Sequence, residues 1–156
     1  MNSPYVWKNI ERKAHIFAAD FATETDEDAE AKTFWDSFFR EIFDIERRKV
    51  AKFESSVERT HRNKGFIDLF WKGLLLVEHK SAYRDTEDDF IDAYEQARDY
   101  FKETPRADRP KFIVICNFKR FHLYDVARKK REDFLLRDLP DNIRKFEFLL
   151  DAYAQM

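Results

Sequence analysis

Residues 65–80 read GFIDLFWKGLLLVEHK, and this stretch decides the fold. It consists of two apolar runs on either side of a Lys-Gly pair at 72–73. Apolar runs separated by a short segment that contains glycine predict a β-hairpin. Three charged residues, Asp68, Glu78 and Lys80, interrupt the apolar runs. Because a charge is costly to bury unless it is paired, their position in the centre of the fold needs a chemical reason.

The length of the hairpin loop determines which charged residues face each other. A three-residue loop over 72–74 pairs Trp71 with Leu75, and in that register Asp68 lies opposite Glu78. A two-residue loop would give a different register and separate the two acids. The hairpin therefore predicts a pair of opposed carboxylates if the loop has three residues.

Two opposed carboxylates beside a lysine predict a metal site. Because side chains alternate along a strand, Glu78 and Lys80 share one face and the His79 side chain takes the other. Close carboxylates repel each other unless a cation lies between them, and Mg²⁺ prefers oxygen ligands. The backbone carbonyl of His79 can add a third oxygen to those of Asp68 and Glu78. Mn²⁺ shares these ligands. Lys80 can hold a water or stabilise charge on a phosphate, so the group predicts metal-assisted phosphodiester hydrolysis.

The remaining elements predict an α/β domain with a mixed sheet flanked by helices, including two N-terminal helices. Apolar periodicity, caps and breakers define them. The predicted helices cover 4–19, 27–44, 86–102 and 142–155, and the predicted strands lie within 50–57, in the two arms of the hairpin, and over 111–118 and 120–126. The charged segment ARKKRED at 127–133 is predicted to be a loop or turn, and RTHRNK at 59–64 an exposed basic loop.

Composition limits the class of protein. A chain of 156 residues suits one domain, so 1–156 is expected to be a single unit. The only cysteine, Cys116, excludes an intramolecular disulfide framework and a cysteine-based zinc site. Neither a signal peptide nor an apolar run long enough for a bilayer is present, so a cytoplasmic protein without a membrane partner is expected. The net charge of −2 gives no global signature of nucleic-acid binding and leaves room for a local basic patch.

The pattern D-x9-E-x-K on a hairpin resembles the PD-(D/E)xK nuclease superfamily. The residues that match its RecB-like branch in order are Gly65, Asp68, Glu78, Lys80, Gln96 and Tyr100. Across nearly the whole chain the sequence also resembles the N-terminal nuclease domain of the MmeI-like (type IIL) single-polypeptide restriction–modification enzymes. The segments GFIDLFWKGLLLVEHKS and ICNFKRFHLYD carry this resemblance most specifically.

The resemblance implies a restriction-endonuclease-like core and a Mg²⁺-dependent DNA endonuclease. Asp68, Glu78 and Lys80 would be the catalytic residues, and Gln96 and Tyr100 would orient the substrate phosphate or groups around the metal. The superfamily often places one more glutamate near the metal. The candidates for it are Glu27, its rival Glu30, and Glu54 on the first strand.

The resemblance also implies partners. In that family a methyltransferase and a target-recognition domain follow on the same chain, but no Gly-rich S-adenosylmethionine loop and no N-P-P-Y motif occur here. The chain is thus expected to be a nuclease domain from a larger enzyme, with a stand-alone relative as the alternative. A dimer would be one way to cut both DNA strands.

Two other functions fit the same residues. The domain could bind DNA or a partner domain without cutting, since it has no recognition module of its own. Alternatively, Asp68, Glu78 and Lys80 could form an exposed salt-bridge cluster on an edge hairpin, and such clusters contribute little to stability.

Overall fold

The computed structural model describes residues 4–55 and 67–156, and at positions 55, 67 and 68 only the backbone. Within these ranges six strands form one sheet, and their order in space follows their order in the chain. The strands are β1 (Lys52–Ser55), β2 (Ile67–Trp71), β3 (Leu75–His79), β4 (Phe112–Cys116), β5 (Arg120–Asp125) and β6 (Lys130–Leu135). The helices are α1 (Pro4–Asp20), α2 (Glu27–Ser37), α3 (Arg47–Val50), α4 (Glu87–Glu103), α5 (Leu139–Asn142) and α6 (Glu147–Ala154).

The sheet is mixed, as the sequence predicts. Strands β1, β2 and β3 pair antiparallel, β3 and β4 pair parallel, and β4, β5 and β6 pair antiparallel. Parallel neighbours need a long crossover connection, and α4 provides it between β3 and β4. Because the parallel pair lies in the middle of the sheet, β3 is an interior strand with a neighbour on each side.

The hairpin has the predicted three-residue loop. Trp71 pairs with Leu75 and Asp68 pairs with Glu78, so the predicted register is confirmed. The backbone N–H of Leu74 donates to the carbonyl of Trp71 at 2.9 Å and closes the turn. Gly73 has a φ of +77°, a left-handed conformation that glycine adopts without steric cost.

One face of the sheet packs against an aromatic core from the N- and C-terminal helices. Phe34 of α2 lies at its centre, with ring centroids 4.9 Å from Phe17, 5.1 Å from Trp35 and 5.3 Å from Phe118. Such tilted and edge-on ring pairs stabilise the fold by more than the burial of their apolar area alone. Phe118, in the β4–β5 turn, and Phe121, on β5, are also fully buried in this core.

The opposite face is covered by α4. Its buried residues Phe90, Ala93 and Ala97 pack against three strand residues of that face, Leu76, Ile113 and Ile115. The helix begins at a capping box: the Thr86 hydroxyl accepts from Asp89 N–H, and the Asp89 carboxylate accepts from Thr86 N–H. Both orphan donors of the first turn are satisfied, which fixes the start of α4.

Two helices differ in detail from the predictions. The predicted helix 27–44 continues past α2 as a π-helical turn (Phe38–Ile42), whose wider spacing keeps Phe38, Phe39 and Ile42 all buried. The predicted helix 142–155 is α6 preceded by a 3₁₀ segment (Ile143–Phe146). In a 3₁₀ helix residues three apart align, which brings Ile143 and Phe146 inward together.

The prediction of a loop or turn over 127–133 is wrong. The turn covers only 126–129, and β6 begins at Lys130 as the last strand of the sheet. Its charged residues 130–133 are exposed, as is common on edge strands, where charges hinder pairing with another chain. The predicted basic loop 59–64 and Gly65 lie outside the described residues.

No helix in the described part of the chain is long and apolar enough to cross a membrane.

His79 faces the aromatic core, as the strand alternation predicts. The indole Nε1–H of Trp35 donates to its Nδ1 at 2.9 Å, so the neutral ring carries its proton on Nε2. Burial, together with the nearby charge of Lys80, lowers the pKa of His79 from 6.5 to about 3. The imidazole is therefore neutral in the folded protein throughout the physiological pH range.

A buried neutral histidine makes stability depend on pH. Below about pH 6.5 the unfolded chain binds a proton at His79 and the folded chain does not, so stability falls as the pH decreases towards 3. We expect His79→Gln to reduce the slope of unfolding free energy against pH by up to about 1.4 kcal/mol per pH unit in that window. Urea denaturation between pH 7.5 and 5 measures the slope.

The control is His15→Gln, at an exposed histidine. The second buried histidine, His122, is unchanged in all three proteins, so its contribution to the slope is common to them. An unchanged slope in His79→Gln would contradict the neutral buried imidazole.

Candidate active site

Three acidic positions lie side by side across β1, β2 and β3. Glu54 pairs with Asp68, and Asp68 pairs with Glu78. Adjacent strands are about 4.8 Å apart, so the three positions form a row perpendicular to the strands. The side chain of Asp68 lies outside the described atoms, and its backbone register is what the structure gives.

The end of β3 buries two opposite charges. Glu78 is 0% exposed and Lys80 is 3% exposed, and the Lys80 Nζ lies 3.3 Å from Glu78 Oε2. The backbone N–H of Lys80 donates to the carbonyl of Cys116 at 2.8 Å, which holds the residue beside β4. Because β3 is interior and both side chains are buried, the alternative of an exposed salt-bridge cluster on an edge hairpin does not hold for this pair.

Helix α4 adds Gln96 and Tyr100, two of the residues that the sequence predicts to lie at the site. Gln96 and Tyr100 are four residues apart and so lie on one face of the helix. Gln96 Oε1 accepts from Lys80 Nζ at 2.8 Å. The Tyr100 hydroxyl donates to Glu54 Oε2. The helix is therefore linked to both ends of the acidic row. Gln96 reaches the Glu78 end through Lys80, and Tyr100 contacts Glu54 directly.

The early glutamates have different surroundings. Glu54 is tied to the site through Tyr100 and through its register opposite Asp68. Glu27 and Glu30 lie in the first turn of α2, where the helix N-terminus favours acidic side chains, and both are half-buried. The described contacts of Glu30 do not reach the residues of β3 or α4.

The electrostatics of the row favour a cation. Lys80 supplies one positive charge at a place where three acidic positions adjoin, and burying unbalanced carboxylates is costly. The candidate donor atoms at this site are carboxylate and carbonyl oxygens, which suit Mg²⁺ and Mn²⁺ rather than softer metals. Among the side chains that the structure describes, no three His, Cys, Asp or Glu residues form a metal-holding group, so a complete site needs Asp68.

The sequence did not single out a hydrogen-bond network beside Lys80. Asn117 is fully buried, and its amide donates to the carbonyl of Arg84 at 3.0 Å and to Asp85 Oδ1 at 2.8 Å. Its own carbonyl accepts from the backbone N–H groups of Lys119 and Arg120 at 3.1 and 2.9 Å. Asn117 thus joins the loop after Lys80 to the β4–β5 turn. A polar residue directly after the apolar run FIVIC is the sequence signal that could have found it.

The Asp85 carboxylate completes this network. Arg120 Nε lies 3.2 Å from Asp85 Oδ1, and the hydrogen bonds from Asn117 and Arg120 lower the pKa of Asp85 although burial opposes the shift. The ionised Asp85 therefore holds the loop that follows Lys80 in one position.

The family of the chain follows from its sequence match. Residues 8–155 match the family described as MmeI, N-terminal domain, which is nearly the whole chain, so the chain belongs to this family. The resemblance to the MmeI-like N-terminal domain is thereby confirmed. The comparisons with curated proteins and with solved structures found no match.

The contact between Tyr100 and Glu54 can be measured in solution. We expect the losses of unfolding free energy caused by Tyr100→Phe and Glu54→Leu to be non-additive in urea denaturation. Either substitution alone removes the same hydrogen bond to a carboxylate, so the coupling energy should be on the order of 1 to 3 kcal/mol.

Tyr94 offers the matched control on the same helix. Its ring stacks on Tyr124 of β5 with centroids 4.0 Å apart, and β5 lies four strands away from β1, which carries Glu54. Tyr94→Phe and Glu54→Leu should be additive within about 0.5 kcal/mol. Equal coupling for both tyrosines would contradict the assigned contact.

Proposed function

We propose that this member of the MmeI N-terminal domain family is the metal-dependent DNA-cleaving module of a type IIL-like restriction–modification enzyme. The observation that carries the proposal is the register of the β2–β3 hairpin, which sets Asp68 opposite Glu78 with Lys80 two residues further along. A mixed sheet with a helical crossover after β3 supports a PD-(D/E)xK core.

The acidic row would hold the metal. Asp68 and Glu78 would be its carboxylate ligands, with the backbone carbonyl of His79 as a third oxygen. Glu54 is the favoured early glutamate, because its register and its bond to Tyr100 place it at the row. A bound Mg²⁺ or Mn²⁺ supplies Lewis-acid polarisation of a phosphate and a water of lowered pKa.

Lys80 would act directly on the reacting groups. Its ammonium is a hydrogen-bond donor with a fixed position, set by Glu78 on one side and Gln96 on the other. A donor held in place can orient an attacking water and stabilise negative charge on a phosphate without reorganising. Gln96 would thus position Lys80, and Tyr100 would position Glu54.

The partners follow from the same proposal. DNA is the substrate, and methyltransferase and target-recognition domains of a full-length enzyme would choose the site that is cut. Dimerisation of two such modules would allow both strands to be cut.

The first test is cleavage of supercoiled plasmid by the chain in Mg²⁺ or Mn²⁺. We expect Lys80→Ala to reduce the cleavage rate by at least about 100-fold, the scale of losing one positioned donor. Its far-ultraviolet circular dichroism should match that of wild type, which separates chemistry from folding.

Lys8→Ala is the matched control, since Lys8 is an exposed lysine on α1. Full activity of Lys80→Ala would sink the assignment of Lys80. A folded wild-type chain that binds DNA without nicking it would favour the non-cutting role instead.

The second test is metal binding by calorimetry. We expect Asp68→Ala to abolish the binding heat of Mn²⁺ or Mg²⁺, because it removes a ligand from the centre of the row. Asp92→Ala is the control, an exposed acid on α4.

Titrations with and without duplex DNA separate metal held by protein alone from metal held jointly with phosphate. If Asp68→Ala and wild type bind metal equally under both conditions, the acidic row is not the metal site.

A further inference from the structure

Three loops meet at the end of the sheet that lies away from Lys80. They are the β2–β3 turn at 72–74, the segment 104–111 before β4, and the β5–β6 turn with its flanks at 125–130. Gly73 N–H donates to the carbonyl of Asp108 at 2.9 Å, and Val126 N–H donates to the carbonyl of Lys111 at 3.0 Å. These hydrogen bonds hold the three loops side by side as one surface, the basic end.

The basic end concentrates positive charge in an acidic chain. Its exposed cations are Lys72, Arg106, Lys111, Arg128, Lys129 and Lys130. Its acids are Asp108 and Asp125, in a chain whose net charge is −2. Among the described residues, Arg128 alone of these six cations makes an ion pair there, at 3.8 Å from Asp125. The other five cations are therefore available for an external anion.

Helix α4 carries the opposite charge. Its first turn contains Glu87, Asp88 and Asp89, and its outer surface adds Asp92 and Glu95. The acidic surface of α4 repels a polyanion and the basic end attracts it. The summed electric field of the protein therefore directs a polyanion to the basic end.

The chemistry of the basic end suits phosphates better than a protein surface. Protein–protein interfaces depend on apolar or aromatic anchors at their centre. The exposed large apolar side chains of the described residues are Tyr5, Val6, Ile16, Tyr83, Ile91 and Met156, and none of them belongs to the three loops. Exposed lysines and arginines on turns are the usual contacts to a nucleic-acid backbone.

The distance between the basic end and the candidate active site is short enough for one DNA duplex to contact both. From Lys80 to Leu74 the strand extends about 20 Å at roughly 3.3 Å per residue. A B-form duplex places one phosphate per strand about every 3.4 Å, so this length corresponds to roughly six base pairs.

We propose that the basic end binds the phosphate backbone of double-stranded DNA that flanks the bond cut at the acidic row. This inference rests on the proposed function for its substrate, and it adds the surface through which the module holds that substrate. Phosphate contacts carry no sequence information, so the surface provides affinity and orientation without selecting a target.

The experiment removes one cation from each loop. The triple variant Lys72→Gln, Lys111→Gln and Lys130→Gln is titrated against a fluorescent 20-base-pair duplex in EDTA, by anisotropy, over a series of salt concentrations. We expect the slope of log affinity against log salt to decrease by about 2 to 3, since each lost phosphate contact removes about 0.9.

The control has the same charge change on the other side of the sheet. Lys8→Gln, Arg12→Gln and Lys13→Gln remove three cations from α1, which packs on the face away from α4. This variant should keep the wild-type slope. The inference is overturned if both triple variants behave alike, or if wild-type chain binds duplex no better than the loop variant does. An acidic protein domain as the true partner would give the first of these results.

A further variant separates this inference from the proposed function. Lys80→Ala should lose cleavage in Mg²⁺ or Mn²⁺, and in the EDTA titration its salt slope should differ from that of wild type by no more than a single phosphate contact, about 0.9. A wild-type chain that does not nick plasmid in Mg²⁺ or Mn²⁺, together with a weakened loop variant, would overturn the nuclease assignment and keep the surface. Normal binding by the loop variant would overturn the surface and leave the nuclease assignment in place.

Discussion

The turn at 72–74 is the constraint on which the rest of the structure depends. A three-residue loop with Gly73 in a left-handed conformation fixes the pairing of β2 with β3. Because side chains alternate with a period of two, a shift by one residue would move Glu78 into the aromatic core and His79 under α4. The neutral, hydrogen-bonded His79 suits the core, and a carboxylate in its place would have no compensating cation. The register is thus protected by the packing of both faces at once.

Strand β3 combines two environments that would be incompatible on one face. On the core side His79 accepts from Trp35 within a shell of aromatic rings, and its pKa is lowered by burial. On the α4 side Glu78 and Lys80 are equally buried but are charged and held by each other and by Gln96. A buried ion pair of this kind is weak evidence for stability, because desolvation offsets most of the attraction. Its presence in the middle of a sheet is better explained by chemistry than by folding.

The sequence predicted the parts of the fold that rest on local patterns. Apolar periodicity located α1 and α4, and two apolar runs around a Lys-Gly pair located the hairpin. A three-residue loop in the hairpin was enough to determine that Asp68 pairs with Glu78, because pairing in an antiparallel hairpin is fixed by the loop length. The strand β6 was missed because its residues 130–133 are all charged, and it is stabilised by backbone pairing with β5 rather than by burial. Propensity and periodicity carry no signal for a strand of that kind.

The site was predictable as a list of residues but not as a set of contacts. The spacing of Gln96 and Tyr100 placed both on one helix face, yet which partner each would meet depends on how α4 crosses the sheet. The crossing is set by Phe90, Ala93 and Ala97 against Leu76 and Ile115. It puts Gln96 over Lys80 and Tyr100 over Glu54, so apolar packing far from any chemistry decides the polar geometry. A module arranged in this way has its acids under a helix and the cations of the basic end at the opposite end of the sheet. A polyanionic substrate could then be held by one end while the other supplies the charges that act on a single phosphate.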